Sequence, residues 1–284
     1  MPRMPATAQL RSQAIKLGRR YLGIRQLNHL VRFEPILRHL LEANPEGKAM
    51  TVLDVGAGSA GVTTLLPAEW RSTALDADFA DYSQEGRRVT LHADQVLGDV
   101  RDLQFADNSF DAVVALDVLE HLSPGDRTQA VREICRVARA RAVIACPAGE
   151  EALEGDRRLA ARFEAHGLEC PGWLAEHLEN GFPEADELAA AASDYGQVRV
   201  EGNENIHAHE RLIYAEHQPL PAVALRLICR PLEWLLRSHR PQARRLAQRL
   251  LAIARGQDRA PAYRCVLVVD RSPLSAPANP QTSA

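Results

Sequence analysis

The chain has 284 residues, of which 46% are hydrophobic and 25% are charged, so it has enough apolar material for one large folded domain. Its net charge of −3 excludes a globally basic nucleic-acid binder. The sequence has no run of about 18 apolar residues, so no membrane-spanning helix is predicted. Its five cysteines are odd in number and never form a CxxC pair, which argues against a disulfide framework and indicates a reducing, cytoplasmic location.

An amphipathic helix is predicted first, from about Gln26 to Ala43, with a disturbance at Pro35. Short apolar runs then alternate with helical segments. Such runs indicate buried strands, and their alternation with helices predicts an α/β fold, in which a parallel sheet is covered on both faces. The predicted strands are Met50–Val55, Ser72–Leu75, Gln95–Leu97, Phe110–Leu116, Arg141–Cys146, Val198–Val200 and Tyr263–Asp270, and the later helices are Asp126–Arg139, Trp173–Asn180, Glu184–Ala192 and a long helical stretch over His207–Arg255.

These elements predict five segments. They are an N-terminal helical segment (1–47), an α/β domain (48–205), a helical insertion or cap (206–260), the final strand of the domain (261–270) and a disordered tail (271–284).

A glycine-rich segment, LDVGAGSAG (53–61), begins in the last residues of the predicted strand Met50–Val55 and continues beyond it. Its spacing predicts a tight turn at which the backbone of Gly56 and Gly58 comes close to a ligand. The spacing alone fits several nucleosides, and Asp76 also fits the ribose-binding acid of an NAD site. Asp54 discriminates between these ligands, because a carboxylate inside a strand end is costly to bury without a partner.

Carboxylates recur where the predicted strands end, at Asp54, Asp76, Asp99 and Asp117. In an open α/β sheet these ends form the ligand crevice. A crevice ringed with carboxylates suits a cationic, amine-bearing ligand better than a pyrophosphate.

These segments together resemble the class I S-adenosylmethionine-dependent methyltransferases, in particular their type-11 subgroup. VLDVGAGSAG (52–61) is similar to the first motif of that family, ALD (74–76) to the acidic end of its second strand, and GDVRDLQFADNSFDAVVALDVLEHL (98–122) to its third and fourth motifs. The resemblance covers about residues 48–148. It implies a Rossmann-like, doubly wound sheet that is mostly parallel, to which 263–270 adds a final antiparallel strand.

The resemblance also implies S-adenosyl-L-methionine as the cofactor. Asp54 would hold its amino group, Asp76 its ribose hydroxyls, and Asp99 its adenine amino group. Asp78 lies two residues beyond Asp76 and leaves that register open. The residues implied to bind the cofactor are Asp54, Gly56, Gly58, Asp76, Asp99, Val100 and Asp117.

A hydroxyl acceptor needs a base, whereas an amine does not always need one. We predict Asp117, Glu120 and His121 as catalytic residues, with the alternative that Glu120 and His121 only fix the loop after the fourth strand. Two further segments, WLAEHLENGFP (173–183) and NENIHAHE (203–210), supply the residues predicted to contact the acceptor. These are Trp173, for which core packing is the alternative, His177, His207 and His209.

The D-x-x-E-H segment (117–121) is also similar to the E-x-x-E-H of small-RNA 2′-O-methyltransferases and of some ubiquinone-pathway O-methyltransferases, in which carboxylates and histidines bind a divalent ion. Here Asp117 replaces the first glutamate, and no fourth ligand can be identified. We therefore predict no metal and metal-independent turnover.

Residues 222–255 carry eight arginines and one acid, Glu233, and hence a charge of +7, which leaves −10 on the rest of the chain. Pro231 is expected to kink or divide the helix there. The favoured interpretation is a cap docked on the domain with a solvated arginine face, and the alternative is peripheral contact of a basic amphipathic helix with an anionic membrane.

The sequence therefore predicts an S-adenosylmethionine-dependent methyltransferase that acts on a small-molecule, glycan or lipid-linked acceptor at a hydroxyl. Nucleic acid is not expected as a partner. The alternatives are a non-catalytic nucleoside-binding relative and an NAD-dependent oxidoreductase. The position of Asp54 and the absence of a Tyr-x-x-x-Lys pair argue against the oxidoreductase.

Overall fold

The computed structural model describes residues 26–58, 61–79 and 93–271. Most of the predicted N-terminal segment and of the predicted tail therefore lies outside the described residues. The strands are β1 (Thr51–Val55), β2 (Arg71–Asp76), β3 (Asp94–Leu97), β4 (Phe110–Leu116), β5 (Ala138–Pro147), β6 (Gly196–Asn205) and β7 (Ala262–Arg271). The α-helices are α1 (Leu27–Ala43), α2 (Pro124–Val137), α3 (Glu150–Ala165), α4 (Gly172–Asn180), α5 (Ala185–Ala192), α6 (Ile206–Glu216), α7 (Pro219–Leu236) and α8 (Pro241–Ala254).

The seven strands form one sheet in the order β3-β2-β1-β4-β5-β7-β6. Strands β1 to β5 pair in parallel, and β7 runs antiparallel between β5 and β6. The predicted fold class is thus confirmed, because the sheet is doubly wound and mostly parallel with an antiparallel final strand. The carboxyl ends of β1 and β4, which are neighbours, meet at one edge of the sheet, where such folds bind ligands.

Each face of the sheet packs on its own set of helices. One hydrophobic cluster joins α1, α7 and α8 to side chains such as Val52, Val114 and Val268. The other joins α2 and α5 to side chains such as Leu53 and Val113. Successive strand residues therefore enter opposite clusters, as the two-residue repeat of a strand requires.

Several predicted boundaries differ from the structure. Strand β6 is ten residues long, whereas three were predicted. It is an edge strand, and its mostly polar side chains, several of them exposed, give no apolar signal. Helix α2 ends at Val137, and Arg139 already belongs to β5. Helix α7 continues through Pro231, and the break between α7 and α8 comes at residues 237–240 instead.

The helices of the predicted insertion are anchored to α1 by a buried ion pair. Arg255, which follows α8, donates from Nη1 to Oε2 of Glu34 at 2.6 Å, and both side chains are almost fully buried. The same guanidinium also bonds to Asp258. Since a buried carboxylate needs a counter-charge, the contact between α8 and α1 depends on Arg255.

We therefore expect Arg255→Ala to lower the free energy of unfolding by about 3–5 kcal/mol, because it leaves Glu34 buried without a partner. The matched control is Arg240→Ala, since Arg240 is exposed and in no ion pair among the described residues; it should change stability by less than about 0.5 kcal/mol. Urea unfolding followed by circular dichroism measures both. Equal stabilities for the two variants would show that the ion pair does not anchor the helices.

Candidate functional site

A tight glycine turn follows β1 and is fastened to the end of β2. The backbone amides of Gly56 and Ala57 both donate to the carbonyl oxygen of Leu75, at 2.8 and 3.1 Å, and the amide of Gly58 donates to Oδ2 of Asp76 at 2.8 Å. Gly56 has a φ of +69°, and a Cβ there would lie 2.3 Å from a methyl carbon of Val118. Glycine is therefore required at position 56 for the turn to lie against the chain after β4.

Asp54, near the end of β1, is almost completely buried beside this turn. Its Oδ2 accepts from the amide of Thr63 at 3.3 Å, and a Cβ on Gly61 would lie only 2.3 Å from the same oxygen. Burial raises the pKa of Asp54 to about 7, although the amides of Thr63 and Val62 favour the anion. The carboxyl group is therefore ready to ionise when a cation arrives.

A cavity of about 500 Å³ opens at the carboxyl ends of β1 and β4, a volume in the usual range of small-molecule sites. Helix α1 and the chain around α4 and α6 cover it. The predicted site residues that line it are Asp54, Gly56, Gly58, Asp117, Glu120, His121, Trp173, His177 and His209. Five imidazoles face this cavity, from His29, His121, His177, His209 and His217.

Asp117 is held between two arginines. It has a φ of +53°, and its carboxylate is bonded to Nη1 of Arg32 from α1 and, at 2.9 Å, to Nε of Arg264 from β7. Burial opposes ionisation, but the two guanidinium groups hold the pKa of Asp117 well below its usual range. Asp117 therefore stays anionic, which argues against its predicted role as a proton acceptor.

Arg264 continues this network towards α6. Its Nη1 donates to the buried carboxylate of Glu204, which also bonds to Nδ1 of His209 at 3.1 Å. The ring of His209 stacks on Tyr263, with ring centroids 3.5 Å apart. Arg264 thus links the end of β4 to the first turn of α6.

Three imidazoles at the cavity have a carboxylate at Nδ1. His177 bonds to Asp156 at 2.8 Å, His209 to Glu204, and His121 to Glu176 at 2.9 Å. In the Asp156–His177 pair, the hydroxyl of Tyr263 also donates to both oxygens of fully buried Asp156, at 3.0 Å. A carboxylate at Nδ1 fixes the ring and leaves Nε2 as the proton-accepting nitrogen.

Glu120, His121 and His177 form a cluster whose ligand atoms lie within 4.8 Å of one another, a set that could hold a divalent ion. Glu120 is fully buried, and neither carboxyl oxygen has a hydrogen-bond partner among the described residues. Burial, with the charge of Asp117, raises the pKa of Glu120 well above its usual range. Burial therefore disfavours the ionised form of Glu120 when no ion is bound.

Some predicted site residues lie outside the cavity. Asp76 is the last residue of β2, which agrees with the register predicted for the ribose-binding acid, whereas Asp78 lies beyond the strand. The backbone amide of Asp78 donates to the carboxylate of Asp76. Asp99 is bound through both oxygens to the guanidinium of Arg101, which lowers the pKa of Asp99. Val100, next to it, is buried.

His207 is not among the residues that line the cavity, so its contact with the acceptor stays a prediction. It has a side chain that is 61% exposed and lies 3.9 Å from Glu210. Helix α6 begins at Ile206, capped by the side chain of Asn205, and residues two apart on a helix point in different directions. Only His209 of this pair therefore faces the cavity.

Sequence reasoning missed Arg32, Arg264 and Asp156. A signal existed for Arg264, since it is a charged residue inside the apolar run of β7. Neither Arg32, on an amphipathic helix, nor Asp156, in a charged stretch, carries a local signal of this kind. Their roles depend on partners 85 and 21 residues away.

The chain is similar to known methyltransferases over part of its length. Residues 53–146, about a third of the chain, match the methyltransferase-domain family. No curated protein matches the sequence. Similar solved structures include a putative sarcosine dimethylglycine methyltransferase from Galdieria sulphuraria (14% identity, covering 85% of this chain and 86% of that chain, TM-score 0.46) and a putative methyltransferase from an antibiotic biosynthesis pathway of Anabaena variabilis (15%, 82% and 96%, 0.47). Another is phosphoethanolamine N-methyltransferase 2 of Haemonchus contortus in complex with S-adenosyl-L-methionine (14%, 83% and 51%, 0.46).

The family match covers one part of the sheet. The matched residues run from within β1 almost to the end of β5, and they include the glycine turn and the acidic residues Asp54 and Asp76. Strands β6 and β7 lie outside the match and complete the sheet with its antiparallel final strand. Over residues 53–146 the chain is thus similar to a methyltransferase domain, and its sheet has the Rossmann-like order that the resemblance to class I S-adenosylmethionine-dependent methyltransferases implies.

Proposed function

We propose that this methyltransferase transfers the methyl group of S-adenosylmethionine to a hydroxyl of a small-molecule, glycan or lipid-linked acceptor, with His177 as the general base. The observation that carries this proposal is the buried Asp156–His177 pair at the cavity. Amine acceptors can react without such a base, whereas a hydroxyl must lose its proton as the oxygen attacks.

The residues at the glycine turn fit the cofactor. The close approach allowed at Gly56 leaves room for the methionine moiety, and the buried carboxyl of Asp54 suits an ammonium group. Asp76, at the end of β2, offers two oxygens for the two ribose hydroxyls. For Asp99 to hold the adenine amino group, its carboxylate would have to share or leave Arg101.

When bound, S-adenosylmethionine supplies an electrophilic methyl group on a sulfonium, which is an excellent leaving group. The protein then mainly aligns the acceptor oxygen with that methyl and removes the proton. Asp156 keeps the proton of His177 on Nδ1, so Nε2 receives the proton of the acceptor hydroxyl. Methyl ether and S-adenosylhomocysteine are the products.

The acceptor side of the cavity is rich in groups that bind hydroxyls. Imidazoles and the Arg32 guanidinium can hydrogen-bond to a polyhydroxylated ligand. The indole of Trp173 lines the same cavity, with its ring 5.0 Å from the ring of His177. This combination of an aromatic surface and several polar groups supports a sugar or another polyol as the acceptor.

Cofactor affinity should depend on pH through Asp54. Since the pKa of Asp54 is about 7 in the free protein and an ammonium group favours the anion, affinity should fall below pH 7 by up to about tenfold per pH unit. It should be level above pH 7. The measurement is a calorimetric titration with S-adenosylmethionine at several values between about pH 5.5 and about pH 8.5, a range that brackets the pKa of Asp54.

Two variants separate this effect from a general loss of binding. Asp54→Asn should flatten the pH dependence, whereas Asp76→Ala should weaken binding by about 10- to 100-fold at every pH, through the loss of charged hydrogen bonds. Binding by the unmodified protein that does not change across this range would contradict the role of Asp54.

The base is tested with methyl-labelled cofactor and a fractionated cell extract that contains small molecules, glycans and lipids. His177→Ala should reduce labelling by about 10²- to 10⁴-fold, with cofactor affinity within a few-fold, because only proton removal is lost. Asp156→Asn should reduce it as well, since the ring loses its orientation. The control is His207→Ala, an exposed imidazole outside the cavity, which should label normally. Undiminished labelling by His177→Ala, or label found on nitrogen, would refute the proposal.

We further expect turnover to be insensitive to EDTA. Arg32 and Arg264 neutralise the charge of Asp117, so this carboxylate adds little attraction for a dication at the cluster. The measurement is labelling with EDTA and after addition of magnesium or manganese. Loss with EDTA and recovery with either ion would instead make Glu120, His121 and His177 metal ligands.

A further inference from the structure

Exposed apolar side chains are concentrated on α7 and α8. Of the ten large hydrophobic residues that are exposed among the described residues, seven lie in these two helices. On α7, Leu220 is 83% exposed and Trp234 70% exposed, with Leu227 midway between them. Seven residues are two helical turns, so the three side chains lie along one stripe.

This stripe points away from the domain. The residues between its members, Ala224 and Pro231, are also exposed and apolar. The opposite side of α7 carries Cys229, Leu232 and Leu236, which are buried in the cluster shared with α1. Helix α7 is therefore apolar on both faces, and the hydrophobic core accounts for one of them only.

Helix α8 adds a second stripe next to basic residues. Leu246, Leu250 and Ile253 follow the i, i+4, i+7 spacing and are all exposed. Arg245 and Arg249 are exposed beside them. Each helix thus combines exposed apolar side chains with arginines, the arrangement of helices that lie in a membrane interface.

The structure divides the eight arginines of this segment into two groups. Arg226 and Arg255 are buried, and Arg237 donates to the carbonyl oxygen of Thr64 and lies near Glu233. The other five take part in no ion pair within residues 26–58, 61–79 and 93–271. They are Arg230, Arg240, Arg244, Arg245 and Arg249. They leave a positive surface on a chain whose remainder carries −10.

We propose that the outer face of α7 and α8 binds the surface of an anionic phospholipid bilayer, with its apolar stripes among the acyl chains and its arginines at the headgroups. Trp234 suits this boundary, because an indole has an apolar body and a polar N–H. No helix in the described part of the chain is long and apolar enough to cross a bilayer, so the contact is peripheral. This inference is independent of the acceptor chemistry proposed above.

Charge favours a bilayer over a second copy of this chain. A two-fold dimer through this face would bring the same arginines of both copies together, and nothing on the face itself would neutralise them. Anionic headgroups neutralise all five, and each arginine near such a surface contributes about a fivefold gain in partitioning, which salt reduces.

The test is flotation of the full chain with vesicles of phosphatidylcholine and phosphatidylglycerol, compared with vesicles of phosphatidylcholine alone, at low and high salt. The protein should float with the anionic vesicles at low salt and be released by high salt. The emission of Trp234 should shift to the blue and be quenched by brominated lipid, and Trp234→Phe, which retains an apolar ring, should remove that signal.

Two matched pairs of variants locate the surface. Arg245→Gln with Arg249→Gln should weaken binding by about 25-fold, whereas Arg132→Gln, an exposed arginine on α2, should not. Leu227→Ser with Trp234→Ser should abolish binding, whereas Leu97→Ser, an exposed leucine at the far edge of the sheet, should not. Circular dichroism confirms that each variant is folded.

Three results would overturn the proposal. They are no flotation of the folded protein with anionic vesicles at low salt, equal flotation of the helix and control variants, and a concentration-dependent dimer that the helix variants disrupt without any vesicle binding. The last result would make this face a contact between copies.

Discussion

Arg264 lies between two buried carboxylates, Asp117 and Glu204, and the shape of the candidate site depends on this one guanidinium. Two carboxylates buried so close to each other would repel without it. Because Asp117 follows β4, Glu204 ends β6 and Arg264 lies on β7, the contact fixes three parts of the sheet edge. Arg32 then draws α1 onto the same carboxylate. A charge network therefore joins α1, β6, β7 and the residue after β4 at the cavity.

The two sides of the site come from different parts of the chain. The groups proposed for the cofactor, such as Asp54 and Asp76, fall inside the segment 53–146 that matches the methyltransferase-domain family. Those proposed for the acceptor, His177 and Trp173 among them, fall outside it. The family match therefore covers the part of the chain proposed for the cofactor and not the part proposed for the acceptor, which is why it does not identify the acceptor.

Sequence reasoning succeeded where structure is local. Strands such as β4 are buried on both faces and show continuous apolar runs. The glycine turn could also be predicted, because it depends on residues that are adjacent in the sequence. It failed for β6, an exposed edge strand. It also failed for the contacts of Arg264 and Asp156, since an ion pair between residues far apart in the sequence leaves no periodic signal. Helix phase cannot be read from so short a segment, so the sequence did not distinguish the exposed His207 from His209, which lines the cavity.

Helix α1 belongs both to the wall of the cavity and to the hydrophobic cluster that it shares with α7 and α8. One side of it, with His29 and Arg32, forms part of the cavity wall, while its buried leucines, such as Leu40, share a hydrophobic cluster with α7 and α8. The helices of the insertion therefore pack against the same helix that forms part of the cavity wall. A change in how α7 and α8 pack on the domain would thus reach the shape of the cavity through α1.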